Sequence, residues 1–285
     1  MYCNGEKSRI KSNSFILILL CLSIAVTIGL TSITTNFGFA TPENKTLMQH
    51  QGTQSMSNNT NATNIVLVHG GWADGSGWSK QIPILKDAGH KVVAVQLPLQ
   101  SLSDDVETVK RAVAHIGGPA ILVGHSYGGA VITNAGYNNP NVTGLVYIAA
   151  FAPDEGQSLS TFVNPANFPK ELFMPDSGGF IYLNPEIFRE NFAQDVDPAE
   201  ADIMAIVQKP FHQSNFAANS GPPAWKQLPT WYQISKSDKM IPPDVQHTFA
   251  EKMNATTLSL NASHSSYVSY PNEIADFILN ATKGK

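Results

Sequence analysis

Ala120-Ile121-Leu122-Val123-Gly124-His125-Ser126-Tyr127-Gly128-Gly129 decides the fold. Residues 120–123 are an uninterrupted apolar run, the pattern of a strand buried on both faces of a parallel sheet. Residues 124–128 fit G-x-S-x-G, and residues 129–137 are small and compatible with a helix. In a strand, sharp turn and helix, that motif lifts a serine Oγ to the tip of a sheet, in strained backbone, within reach of a base. Gly124 and Gly128 leave room for the close approach of strand and helix that such a turn forces.

Working outward, short apolar runs alternate with helix-compatible segments. Strands are expected at 64–68, 91–95, 120–123, 145–150, 230–235 and 256–261. Helices are expected at 78–87, ended by Gly89, and at 104–116, where Val106, Val109, Val113 and Ile116 fall at helical spacing behind Asp104 and Asp105. Two further helices are expected near 243–253 and 272–281. This rhythm is that of an α/β protein with a mostly parallel sheet and helices on both faces. It lapses over about 153–228, which is rich in Pro, Asn, Phe and Asp, with helical pieces near 185–194 and 198–208. That segment reads as a helical lid inserted at the C-terminal edge of the sheet.

The N-terminal part of the 285 residues belongs to something else. Lys7, Arg9 and Lys11 precede the uncharged stretch 15–30, and Gly38-Phe39-Ala40 puts small residues before a cut after Ala40. This is the layout of a secretory signal over 1–40, or of an uncleaved N-terminal anchor. It predicts a secreted or extracytoplasmic protein, tethered to the membrane only if the segment is retained. Residues 41–63 are rich in Asn, Thr, Gln and Ser and read as a disordered polar linker. Residues 64–285 then form one domain with its own core. Both cysteines, Cys3 and Cys21, lie in the signal, which excludes a disulfide, a thiol nucleophile or a thiolate metal site from the domain. The whole chain has a formal charge of −4, and losing Lys7, Arg9, Lys11 and Glu6 makes the remainder two charges more negative. An acidic domain without a basic patch is a poor nucleic-acid binder.

Serine is a weak nucleophile at neutral pH and needs a base and a group to orient that base. In this architecture the chain order is Ser, acid, His. Asp238 follows the strand at 230–235 and His264 the strand at 256–260, so both belong at C-terminal strand ends with Ser126. Asp154, after the strand ending at 150, is the rival acid. His69 and His125 flank motif glycines and are expected to hydrogen-bond within the fold. His90, His115 and His247 read as surface residues, and His212 as a lid residue. The developing oxyanion needs donors, for which the backbone N–H groups of Tyr127 and Gly71 are the choice. Trp72 is expected to wall an apolar substrate pocket, with Trp78, Phe151, Phe168 and Phe173 as weaker candidates. No metal-ligand spacing occurs, so no metal is expected.

Val66-Leu67-Val68-His69-Gly70-Gly71, Ala88-Gly89-His90-Lys91-Val92, Val123 to Gly129, Ala149-Ala150-Phe151-Ala152-Pro153-Asp154 and the Asp238/His264 pair carry a resemblance. Over about 64–285 the chain resembles the α/β-hydrolase-fold serine esterases, in particular small bacterial and archaeal esterases akin to the plant methylesterase and hydroxynitrile lyase group. The resemblance implies Ser126 as nucleophile, His264 as base, Asp238 as orienter and the N–H groups of Gly71 and Tyr127 as oxyanion hole, with no cofactor. The similar lyases carry a threonine after the first-loop histidine and a lysine just after the catalytic histidine; here these positions are Gly70 and Ser265. The expected function is hydrolysis of small to medium apolar carboxylic esters, extending to lactones such as acyl-homoserine lactones, through an acyl-enzyme. The alternatives are a non-catalytic small-molecule receptor on the same scaffold and a cofactor-free lyase or perhydrolase.

Overall fold

A computed structural model describes residues 63–284. The expected signal over 1–40, both cysteines and all but the last residue of the expected linker lie outside the described residues. Six strands form one sheet: β1 (Asn64–Val68), β2 (Val92–Ala94), β3 (Ala120–His125), β4 (Val142–Ile148), β8 (Thr230–Ser235) and β9 (Thr256–Leu260), in spatial order β2-β1-β3-β4-β8-β9. Every pairing between them is parallel. The central strands β1, β3 and β8 are buried at every residue. The edge strand β9 instead alternates, with Thr257 and Ser259 exposed.

The chain moves from β1 outward to β2, then doubles back past β1 to β3 and continues in the opposite direction. Right-handed crossovers therefore place helix α1 (Gln81–Asp87) on one face and α2 (Leu102–Ile116), α3 (Tyr127–Ala135) and α7 (Pro243–Lys252) on the other. The C-terminal helix α9 (Pro271–Thr282), after the short α8 (Ser266–Ser269), returns to pack beside α1. The reversal beside β1 leaves a crevice at the C-terminal ends of β1 and β3, where open α/β sheets bind ligands. The loop at Gly71 and the turn at Ser126 both leave the sheet at this point.

Between β4 and β8 the insertion is of mixed structure, which corrects the expectation of a helical lid. It holds the anticipated helices α4 (Pro185–Phe192) and α5 (Pro198–Val207) and a short α6 (Ser214–Ala217). Asn184 and Asp197 cap α4 and α5, each with Pro at the first helical position, where its missing N–H costs nothing. It also holds a three-stranded antiparallel sheet: β5 (Phe173–Pro175), β6 (Phe180–Leu183) and β7 (Phe211–His212). These strands are too short to show a period of two. The hairpin turn joining β5 to β6 is Asp176-Ser177-Gly178-Gly179: the Asp176 carboxylate accepts from the N–H groups of Gly178 and Phe180 at 2.8 and 2.9 Å. Among the described residues no helix is long and apolar enough to cross a membrane.

Candidate active site

Ser126 sits between β3 and α3 at φ 52°, ψ −123°, a conformation L-residues avoid. The turn is pinned from both sides. Ser126 N–H donates to Ile148 O at 3.2 Å, and Ser126 O accepts from Gly129 and Phe151 N–H at 3.0 Å each. Gly128 lies so close to the first loop that a Cβ there would fall 2.7 Å from the carbonyl oxygens of Val68 and His69. The elbow therefore tolerates no side chain at that position.

His264 Nε2 stands 2.8 Å from Ser126 Oγ, and its Nδ1 stands 2.8 Å from Asp238 Oδ2. The three side chains form one buried hydrogen-bonded chain. Asp238 is held from four directions: Oδ1 accepts from Met240 and Ile241 N–H at 2.7 and 2.9 Å, and Oδ2 accepts from Gln246 Nε2 at 2.8 Å besides His264. With the carboxylate committed as acceptor, Nδ1 of His264 carries the proton and Nε2 is free to accept one from Ser126. The Phe192 ring meets the His264 ring edge-on at 4.8 Å.

Sequence reasoning missed several supporting residues. Gln246, on α7, spends its amide on Asp238 Oδ2 and Ile241 O while its oxygen accepts from Ser235 N–H. The insertion grips both loops behind the site: Gln194 donates to Ser237 O at 2.6 Å, Asp195 accepts from Ser263 N–H at 2.9 Å, and Ser265 Oγ donates to Phe192 O at 2.9 Å. The partners of Gln194, Asp195 and Ser265 are 43 to 73 residues away, so no local pattern announces them, and the nearer contacts of Gln246 follow no recognisable motif. The Tyr127 side chain points away from the site, its hydroxyl donating to the buried Asp105 at 2.7 Å. Asp105 was legible only as a first-turn helix charge.

The other histidines separate cleanly. His69 accepts from Leu97 N–H at Nε2 (3.0 Å), so its Nδ1–H donates to Gly70 O (2.8 Å), fixing the loop that carries Gly71. His125 donates from Nε2 to His264 O at 2.8 Å, and its ring packs against that of His264 at 4.8 Å, tilted by 53°. His212 bonds Ser214 Oγ within the insertion. Asp154 is engaged by Lys226 and Lys252 at 2.6 and 2.9 Å, which with the Lys226 bond foremost hold its carboxyl down at about 2. Its carboxylate is an ion-pair partner on the surface and not the group that orients His264.

These buried groups set an acid limit. Burial lowers His69 from 6.5 to about 4, and burial together with the neighbouring His264 holds His125 well below its ordinary value. Between those pH values the unfolded chain binds a proton that the folded chain refuses. The His69 contribution is therefore whole above pH 6.5 and is lost as pH falls toward 4, about 3 kcal/mol in all. Asp105 acts in the opposite sense: burial raises it to about 6, so its ionisation weakens the fold above pH 3.8 and acidification relieves that. His125 acts in the same sense as His69 and sets the sign against Asp105: the thermal midpoint should fall between pH 7 and pH 4.5, and a flat profile over that range would contradict this balance.

A cavity of about 300 Å³ opens above Ser126 and His264, with Gly71 and Tyr127 in its wall. Tyr127 is the first residue of α3, so its N–H has no acceptor within the helix. Trp72, Phe151, Phe168 and Phe173 line the cavity, joined by Phe211 and Phe216 from the insertion. Trp78 does not; it is buried against Tyr267, ring centroids 4.7 Å apart. None of the described lining residues is Asp, Glu, Lys or Arg. Among the described residues no cluster of three His, Cys, Asp or Glu offers a metal site.

A seryl hydroxyl, an imidazole and a carboxylate in series beneath an apolar cavity, at the switch point of a doubly wound sheet, define a hydrolase of the α/β type. The chain belongs to the alpha/beta hydrolase family, which it matches over residues 65–277. A pyrethroid hydrolase of Sphingobium wenxiniae is 30% identical over 245 residues, 76% of this chain and 86% of that protein. Polyneuridine aldehyde esterase of Rauvolfia serpentina is 24% identical, over 79% and 98% of the two chains. The crystal structure of a pyrethroid hydrolase from Sphingobium faniae superposes with a TM-score of 0.67 at 25% identity, covering 78% of this chain and 98% of that one.

Proposed function

We propose that this protein is a carboxylic-ester hydrolase using Ser126, His264 and Asp238 as its catalytic triad. The observation that carries the reading is the unbroken hydrogen-bonded chain from Asp238 through His264 to Ser126, 2.8 Å at each link, beneath an uncharged aromatic cavity. His264 Nε2 takes the Ser126 proton as Oγ attacks the ester carbonyl carbon. The N–H groups of Gly71 and Tyr127 receive the negative oxygen that forms. The intermediate collapses, His264 returns the proton to the departing alcohol oxygen, and the acyl group remains on Ser126. Water then gives a proton to His264, attacks the acyl carbon, and the acid leaves as Ser126 recovers its proton. Asp238, accepting from Nδ1, keeps the imidazole in the required tautomer.

The substrates in this reading are neutral apolar esters, because an anionic one would meet no counter-charge in the cavity wall. Lactones, acyl-homoserine lactones among them, present the same carbonyl and belong to the same class. Hydrolysis is favoured over cyanohydrin cleavage by two features. A Cβ at Gly70 would fall 2.7 Å from Ser126 Cβ, so a threonine there has no room. Ser265, where the similar lyases have lysine, gives its hydroxyl to Phe192 O. Export through residues 1–40 is part of the same proposal.

Hydrolysis of p-nitrophenyl acetate to decanoate and of a lactone series tests the reading. Turnover should rise with acyl length up to a limit and be at least tenfold lower for esters bearing a free carboxylate. Folded protein without activity on any member would reject it and favour the receptor alternative.

A further inference from the structure

Trp72 belongs to two cavities. Its indole closes one side of the catalytic cavity, and it also ends a second cleft of about 420 Å³ running toward α5. Met204, Val207, Tyr267 and Val268 give that cleft an apolar lining. It continues onto exposed hydrocarbon: Ile203, Ile206 and Val207 on α5 are 63%, 76% and 54% exposed. Three neighbouring large aliphatic side chains left in water on one helix form an exposed apolar patch.

Trp72 sits between these spaces at φ 56°, in the left-handed region. Its Nε1–H donates to Ile181 O at 2.9 Å, and its ring lies 5.4 and 5.8 Å from Phe211 and Phe173 on the catalytic side. The charges at the cleft define what fits. Asp74 and Glu200 line it; Glu200 is paired with Lys80 at 2.7 Å, and Asp74 accepts from Ser76 N–H at 2.6 Å. An apolar floor edged by carboxylates suits a neutral hydrocarbon or aryl group and repels an anion such as a released carboxylic acid. The catalytic cavity, at about 300 Å³, is at the small end for an organic ligand, so an ester with a long arm outgrows it.

We propose that the cleft is an outer subsite that receives the distal hydrocarbon or aryl arm of long neutral esters, with Trp72 as the partition that sets how long an arm enters. The proposal rests on the ester-hydrolase reading and adds the length of substrate to it. Trp72, which follows Gly71 directly, is the residue that lines both the cleft and the catalytic cavity. The arm belongs either to the acyl group or to the alcohol, and the two are separable by experiment.

The test is the ratio of kcat/KM for a twelve-carbon arm to that for a two-carbon arm, measured in two series. One varies the acyl chain of p-nitrophenyl esters, and the other varies the alcohol of alkyl acetates. Filling the cleft with Met204→Trp should lower the ratio at least tenfold in one series. Opening the partition with Trp72→Ala should raise it in the same series, and adding Met204→Trp to Trp72→Ala should remove that gain. A ratio reports on length and is insensitive to partial unfolding, which lowers both members together. A fluorophosphonate probe is applied to every variant. Labelling of Ser126 with a ratio that Met204→Trp does not move overturns the subsite and leaves the esterase reading standing. If neither labelling nor turnover occurs, the esterase reading fails, and titration with the neutral dye Nile red decides the cleft. Weaker binding by the Met204→Trp variant than by the parent chain upholds an apolar site there; equal binding rejects it.

Discussion

Ser126→Ala should lower kcat by about 10⁴- to 10⁶-fold and leave the fold intact. The hydroxyl is the atom that His264 Nε2 meets at 2.8 Å, and the side chain makes no capping bond to α3, so its loss removes chemistry and little structure. Ser126→Gly separates the two further. At φ 52°, ψ −123° the serine stores backbone strain, of order 1–3 kcal/mol, that glycine does not feel. Glycine gives some of that back through the greater freedom of its unfolded chain. The expected outcome is a catalytically dead protein about 1 kcal/mol more stable than the parent, read by thermal or denaturant unfolding. A glycine variant that is markedly less stable would mean that the elbow is not strained, and that the hydroxyl has a structural duty.

Asp238→Asn should cost about 10⁴-fold in kcat with KM nearly unchanged. The reason is donor and acceptor counting. Oδ1 takes two backbone N–H groups, from Met240 and Ile241, and Oδ2 takes Gln246 and His264. An asparagine has one oxygen for these four donors. If its oxygen faces the backbone pair, its NH2 faces the amide of Gln246 and Nδ1 of His264. The imidazole then carries its proton on Nε2, where it cannot accept one from Ser126. If the amide flips, two buried backbone N–H groups lose their acceptor, at about 1–3 kcal/mol each. Both orientations damage the site, and the first leaves binding untouched. An effect confined to KM would mean that Asp238 acts only on the shape of the pocket.

The hydrogen-bonded arrangement of Ser126, His264 and Asp238 was legible in the sequence because its supports are written locally. Buried parallel strands appear as unbroken apolar runs, as in 65–68 and 120–123, and the elbow motif follows one of them. Chain order then singled out Asp238 and His264, since each follows a strand whose C-terminal end lies on the Ser126 side. The roles of His69 and His125 were legible only in kind. Their partners, Leu97 N–H and His264 O, lie 28 and 139 residues away in sequence. Asp195 and Gln194 act through contacts 68 and 43 residues away, and Gln246 reaches back only 5 to 11 residues but has no motif to mark it. The insertion was readable as a break in rhythm and as two capped helices, but strands of two to four residues are below the length at which alternation is visible. Asp176 and its following glycines were the available clue. Trp72 was singled out for one pocket; that it also ends a second depends on where α5 packs.

The most direct measurement is covalent. The full chain is treated with an alkyl fluorophosphonate, digested, and the adduct located by mass spectrometry, with Ser126→Ala treated in parallel and ester hydrolysis followed in the same samples. The account predicts one adduct, on Ser126, forming as turnover disappears, and none in the variant. Hydrolysis that survives unlabelled, or an adduct on a different residue that abolishes it, would contradict the assignment of Ser126, His264 and Asp238 as the catalytic centre.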